Sequence, residues 1–164
     1  MRFINLFIFT IFLIATNVSI AQEKADISHL KLSDFSDFAG IKIGDDCDEV
    51  ATKYSKNIGE EDSRSFMLYF NGRLEVTCSE NTWTVIAVIN FEVSDTTYDK
   101  TFMMSKKFIR KHQLLRAFGE MTEERWREID GKYRDYYSWN VNSNTKLTIV
   151  STDSVIRYIK IEAR

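Results

Sequence analysis

Proline is absent from the 164-residue chain, and glycine, cysteine and histidine are scarce, with six, two and two copies. Turns must therefore come from Gly, Asn, Asp and Ser, and no prolyl isomerisation can slow folding. No glycine-rich phosphate-binding loop is present. Two cysteines without nearby histidines also lack the ligands of a zinc site, so we expect neither a metal nor a cofactor.

The sequence contains no catalytic motif. A Ser–His–Asp system needs a histidine held between a nucleophile and a carboxylate. Neither His29, in a polar segment, nor His112, on a predicted basic helix, has such neighbours, and we expect both to be solvent-exposed. The acidic run 45–49 lacks the alternating ligands and the glycine of a calcium loop, so helix capping explains it better. A pair of carboxylates for glycosidic chemistry is defined by its distance in space, so the sequence does not decide whether one is present.

The N-terminus has the pattern of a secretory signal peptide. Arg2 precedes an apolar run that ends near Ala15, and the small residues Ser19 and Ala21 follow. The run is shorter than the roughly 20 apolar residues of a membrane span, and no cysteine for lipidation follows the cut. We therefore predict a signal peptide over 1–21, cleavage after Ala21, no membrane span after cleavage, and a periplasmic or secreted protein.

An even cysteine count in an exported protein favours a disulfide, here between Cys47 and Cys78. Such a bond would stabilise the fold by roughly 3–4 kcal/mol in the chain-entropy treatment. Two buried free thiols are the alternative.

Charge is distributed unevenly along the chain. Residues 22–99 carry 16 acidic and 7 basic side chains, a net −9, whereas residues 100–164 carry 14 basic and 8 acidic, a net +6. This asymmetry indicates either a partner surface or two oppositely charged halves that face each other. The acidic pI of about 5.8 and the predicted compartment argue against nucleic acid as a partner.

The first half of the mature chain predicts one helix and three strands. Residues 22–38 are expected to form a partly ordered N-terminal arm. Asp45 or Asp46 is a good N-cap, which predicts a helix over 46–56. Apolar runs and alternation predict three strands, over Phe66–Phe70, Leu74–Cys78 and Thr82–Phe91. A hairpin turn at Asn71-Gly72 should join the first two. The last should be a central strand buried on both faces, and Glu60 to Asp62 should be a solvated loop.

The second half predicts the same order again. A helix over 105–118 should bury the stripe Met104, Phe108, Leu115 and Phe118 and end at Gly119. Turns at Asp130-Gly131 and Asn142–Asn144 separate predicted strands around Trp126–Ile129, Tyr133–Val141, Lys146–Val150 and Val155–Glu162. We predict an α+β fold: one domain over 39–164, with pseudo-halves 39–99 and 100–164. Two main helices should cover one face of an antiparallel sheet, as a tandem helix–hairpin repeat.

The segment from Gly40 to Asp45, Gly-Ile-Lys-Ile-Gly-Asp, leads into Val50 and Tyr54 of the first predicted helix. With the order of elements, it resembles the tandem helix-plus-sheet modules of the β-lactamase-inhibitor-like group and of BamE-like envelope proteins. That resemblance implies a periplasmic or secreted binding protein that uses its sheet face, and it implies no catalytic chemistry.

Aromatic residues are concentrated in the second half. Alternation places Tyr137 and Trp139 on one sheet face and Tyr136 on the other. One set must pack against the helices, and the other should lie on the open face near Arg134 or Lys160. Because Tyr, Trp and Arg dominate interface hot spots, the candidate binding residues are Trp126, Tyr133, Arg134, Tyr136, Trp139 and Tyr158. The alternative is that most are core or cross-strand pairs.

These features favour an exported, non-enzymatic protein-binding module of the inhibitor, immunity or envelope-assembly type, with a protein partner. Two alternatives remain. One is a small exported hydrolase whose carboxylates converge only in the fold, and the other is a structural envelope component that self-associates.

Overall fold

The computed structural model describes residues 27–61, 64–69, 72–93 and 109–164. Across these ranges an antiparallel sheet is accompanied by two short α-helices, so the α+β prediction is confirmed. The predicted signal peptide lies outside the described residues. No helix in the described ranges is long and apolar enough to cross a membrane.

Ten strands form two sheets in the described part of the chain. Their bounds are β1 Asp37–Phe38, β2 Ile41–Lys42, β3 Ile58–Glu61, β4 Ser65–Tyr69, β5 Gly72–Cys78, β6 Val85–Val93, β7 Glu123–Ile129, β8 Lys132–Asn140, β9 Thr145–Thr152 and β10 Val155–Ala163. Strands β1 and β2 pair with each other. The other eight form one sheet in the order β3-β4-β5-β6-β10-β9-β8-β7.

The large sheet consists of two four-stranded meanders, β3–β6 and β7–β10, that meet through their last strands. Strands β6 and β10 pair antiparallel from Ala87↔Glu162 to Asn90↔Ile159. Helix α1, Cys47–Lys53, precedes the first meander, and helix α2, Lys111–Phe118, precedes the second. The buried side chains of both helices belong to a single core cluster on one sheet face. The opposite face, called the open face below, carries none of the described helices.

Helix α1 begins as its sequence predicts. The Asp46 carboxylate accepts the backbone N–H of Glu49 at 2.9 Å, which confirms Asp46 as the N-cap. The helix ends at Lys53 rather than Lys56, and a 3₁₀ turn over 55–57 leads into β3. The prediction of a solvated loop at Glu60 to Asp62 was therefore wrong for its first two residues, which lie in β3. Glutamate is uncommon in strands, but the pairing of β3 with β4 outweighs this local preference.

Helix α2 buries a different stripe from the predicted one. It begins at Lys111, and its buried residues are Leu114 and Phe118, four positions apart on one face. Leu115 is 38% exposed, so its assignment to the core was wrong. Met104 and Phe108, the other predicted members of that stripe, lie outside the described residues.

Phe118 joins the N-terminal segment to the second meander. Its ring meets Phe35 and Trp139 edge-on, with centroids 5.4 Å apart in both pairs. The Trp139 indole N–H also donates to the Gly119 carbonyl at 3.2 Å. Phe35 and Phe38 are fully buried, so residues of the predicted arm contribute to the same core as the sheet.

Strand β6 is central in the sheet but starts at Val85 instead of Thr82. Its prediction as buried on both faces fails at Ile86, which is exposed. The pairing with β5 shifts between Thr77↔Ala87 and Cys78↔Val85, so Ile86 is the extra residue of a β-bulge. The bulge turns an apolar side chain toward solvent.

Cys47 and Cys78 form the predicted disulfide. Both are buried, and the bond joins the start of α1 to the end of β5. The cross-link therefore ties the first helix to its own meander and closes a loop with a sequence separation of 31.

We expect the Cys47→Ala/Cys78→Ala variant to be less stable by about 3–4 kcal/mol, because the cross-link no longer restricts the unfolded chain. Urea unfolding followed by circular dichroism measures this. A reductant should lower the midpoint of the parent protein but not that of the variant. Identical midpoints for the oxidised and reduced parent would contradict the prediction.

The stripe on α2 gives a matched pair of variants. Leu114→Ala should lower the free energy of unfolding by about 2–5 kcal/mol, because it leaves a cavity beneath the helix. Leu115→Ala removes the same atoms from an exposed position and should cost less than about 1 kcal/mol. Equal losses in chemical denaturation would show that the helix is rotated from the orientation described.

Candidate functional site

The β7–β8 hairpin is the best candidate site, because strand alternation sorts its side chains onto two chemically different faces. A two-residue turn at Asp130-Gly131, both with positive φ, closes the hairpin. Pairing runs in register from Glu123↔Ser138 to Ile129↔Lys132. Residues paired in register point to the same face. Each face of the hairpin can therefore be assigned from the register.

The open face of the hairpin is basic. Register places Arg127 beside Arg134 and Arg125 beside Tyr136, with Lys132 at the turn. These five residues are called the basic face below. They point away from α1 and α2. Tyr137 and Trp139, which have the opposite alternation to Tyr136 along β8, belong to the core beneath the helices.

A tyrosine pair continues the basic face across the sheet. Val150 lies in register with Tyr136 on one side and Tyr158 on the other, and it is fully buried between them. The Arg125 guanidinium lies 5.2 Å from the centre of the Tyr136 ring, a cation–π contact. The Tyr158 hydroxyl is hydrogen-bonded to Tyr136. Burial, reinforced by Tyr136, raises the pKa of Tyr158 from 10.0 to about 12, against the opposing influence of nearby arginines.

Beyond the tyrosines, a line of alternating charges crosses the open face. Lys146 Nζ lies 2.7 Å from Glu123 Oε2 and 4.0 Å from Glu162 Oε1. Arg125 and Lys160 extend the line at its two ends. The hydrogen bond from Lys146 lowers the pKa of Glu123. These opposite charges largely compensate one another, so the excess positive charge of this face lies on the hairpin.

The helix-side face of the hairpin is acidic and aromatic. Trp126 and Tyr133 are 67% and 59% exposed, and their rings meet edge-on with centroids 5.5 Å apart. Asp135 is in register with Trp126, and Glu128 is in register with Tyr133. These four residues are called the acidic–aromatic face below. Burial raises the pKa of the neighbouring Tyr137, and the Asp135 charge raises it further.

The structure divides the six predicted binding residues into three groups. Arg134, Tyr136 and Tyr158 meet on the open face, and Trp126 and Tyr133 lie on the other face. Trp139 is 1% exposed beneath α2, so its inclusion as a surface residue was wrong. The predicted opposition of Tyr136 to Tyr137 and Trp139 is confirmed.

Arg125, Arg127 and Lys132 are not among the residues predicted from the sequence. The signal was present, because Glu124-Arg125-Trp126-Arg127-Glu128 alternates acidic or aromatic residues with basic ones. Strand alternation converts such a sequence into two faces of opposite character.

Other candidate groups are engaged or exposed. His29 and His112 are both exposed. In the acidic run, Asp45 accepts the Lys42 backbone N–H at 2.8 Å, and Asp48 accepts the Trp83 indole N–H at 2.8 Å. Within the described ranges, no three His, Cys, Asp or Glu residues are grouped so as to hold a metal ion.

No known protein-family model and no curated protein matches this chain. A similar solved structure is that of a DUF4309 family protein, YjgB, from Bacillus subtilis subsp. subtilis strain 168. The two chains are 14% identical with a TM-score of 0.52, and the match covers 76% of this chain and 83% of that one. At this identity the similarity concerns the fold alone.

The raised pKa of Tyr158 predicts a pH dependence of stability. Because the folded state holds this proton more tightly, the associated stability is present below pH 10 and is lost as pH rises toward 12. We expect Tyr158→Phe to lose less of its free energy of unfolding than the parent over this range. Urea unfolding at a series of pH values measures the loss, with Tyr133→Phe, at an exposed ring, as control. Identical pH slopes for Tyr158→Phe and the parent would contradict the assignment.

Proposed function

We propose that the protein is an exported, non-enzymatic protein-binding module that uses the open face of its sheet. The observation that carries the proposal is the cluster of arginines around the Tyr136–Tyr158 pair on a face without a described helix. Tyr and Arg are enriched in interface hot spots, and a tyrosine pair that is already packed in the sheet, with Tyr136 buried and Tyr158 half-buried, loses little side-chain entropy when a partner docks.

The charge of the basic face defines the partner. Arg125, Arg127, Lys132 and Arg134 project from one side of the hairpin, and the excess of positive charge there favours an acidic protein surface. Guanidinium groups suit carboxylates because they form two parallel hydrogen bonds. An inhibitor, immunity or envelope-assembly protein would use such a surface without chemistry of its own.

Export is part of the proposal. The signal-peptide pattern over 1–21 predicts it, and the Cys47–Cys78 disulfide supports an oxidising compartment, either the periplasm or the exterior. We also propose that the two helix-plus-meander halves are a tandem repeat, in keeping with the resemblance to inhibitor-like and BamE-like modules. The support is the shared order of elements, α1 before β3–β6 and α2 before β7–β10.

Hydrolysis is the weaker candidate. On the open face, Glu123 and Glu162 lie on either side of Lys146, in a shallow depression of about 480 Å³. A general acid needs a raised pKa, whereas Lys146 lowers that of Glu123. This carboxylate is therefore suited to an ion pair rather than to proton donation.

The proposal is tested by charge reversal at an in-register pair. The mature chain, 22–164, produced in an oxidising compartment, would serve as bait for envelope and secreted proteins of its host, with quantitative mass spectrometry as readout. We expect one stoichiometric acidic partner whose recovery falls about tenfold or more in Arg127→Glu/Arg134→Glu, because repulsion replaces attraction. Recovery from the parent should also fall with added salt.

Lys42→Glu/Lys56→Glu is the matched control, since both lysines are exposed outside the hairpin and the net charge change is equal. It should retain the partner. Circular dichroism should show all three proteins folded. Equal recovery by the folded hairpin variant and the parent, or no partner for the parent, would contradict the proposal.

A further inference from the structure

The acidic–aromatic face exposes more apolar surface than its surroundings. Trp126 and Tyr133 have the two largest exposed fractions among the large hydrophobic side chains of the described ranges. Both are on paired strands, and their edge-on contact holds each ring in place. A fixed and solvated indole is unusual in a monomer without a binding role, because its burial on a partner would be strongly favourable.

The carboxylates beside these rings have unequal environments. Glu124, on the same face, pairs with Lys111 of α2. Glu128 and Asp135 have no ion-pair partner among the described residues, although each lies in register with one of the exposed rings. Negative charge therefore remains at the rings that α2 leaves uncovered.

Exposed π faces flanked by uncompensated carboxylates recognise organic cations. A guanidinium or ammonium group can lie over the indole while its N–H groups bond to the carboxylates. We infer that the acidic–aromatic face is a second binding surface, which takes an arginine- or lysine-bearing segment of a protein partner. It lies on the side of the hairpin opposite the basic face and does not depend on the function proposed for that face.

The charges of β7 argue against a second copy of this chain that would bind by pairing its own β7 along this strand. Among the described residues, β7 is one of the two outer strands of the large sheet, β3 being the other. A two-fold antiparallel pairing centred on Trp126 would place Arg125 against Arg127 and Glu124 against Glu128. Centring on Arg125 or Arg127 would place an arginine against itself. Like charges directly opposite each other destabilise strand pairing, so pairing of two copies along β7 is disfavoured, and we infer a basic segment of a different protein as the occupant.

The test uses the mature chain and the peptide acetyl-Gly-Arg-Gly-Arg-Gly-Arg-Gly-amide, with the same peptide carrying glutamate for arginine as comparison. Tryptophan fluorescence and titration calorimetry at low salt measure binding. We expect saturable binding of the arginine peptide only, weakened about fivefold or more by Trp126→Ala and by Glu128→Gln/Asp135→Asn. Trp126→Tyr, which keeps a π face, should restore part of the affinity.

Lys56→Gln is the matched control, because this exposed lysine lies outside the hairpin. It should not weaken binding of the arginine peptide. Arg127→Glu/Arg134→Glu, which should lose the acidic partner proposed above, should still bind the arginine peptide, so that failure of one proposal can be told from failure of the other. Unchanged affinity in folded Trp126→Ala, or equal binding of the glutamate peptide, would overturn the inference. Concentration-dependent self-association that Trp126→Ala abolishes in sedimentation equilibrium would also overturn it, since the occupant would then be a second copy.

Discussion

The antiparallel pairing of β6 with β10 is the constraint on which the rest of the structure depends. In the described part of the chain it is the strand contact that joins the two meanders. The register of this pairing puts the apolar side chains of both meanders on the same face of the sheet, as the paired residues Val88 and Ile161 show. The two halves can then share one core under α1 and α2, and their other side chains form one continuous open face.

The same alternation continues into the β7–β8 hairpin, beyond the region that the helices cover, and this produces the candidate surfaces. Where α2 lies over the sheet, Trp139 is buried against Phe118. Trp126 points to the same side but lies beyond that contact and is exposed. On the opposite side, the arginines surround the Tyr136–Tyr158 pair. One hairpin thus presents two surfaces of opposite charge.

Much of the fold could be predicted from local patterns. The four strands of the second half match their predictions to within a few residues, because Asp130-Gly131 and Asn142–Asn144 mark their turns. The errors lie where long-range contacts override local preference. Pairing with β4 makes a strand of the acidic residues of β3, and a bulge exposes Ile86. Asn90, in a segment predicted to be an apolar strand, is buried on the core side, where its amide has no hydrogen-bond partner among the described residues.

The sequence by itself determined what depends on neighbouring residues: an aspartate N-cap at position 45 or 46, the hairpin turns, the alternation of the strands and the single possible cysteine pair. Tertiary structure decided which side of each strand is covered, since alternation defines two faces without saying which one a helix packs on. For this reason the sequence alone does not distinguish Trp126 from Trp139, two indoles that point to the same side of one sheet. Only the position of Phe118 on α2 makes one of them core and leaves the other exposed.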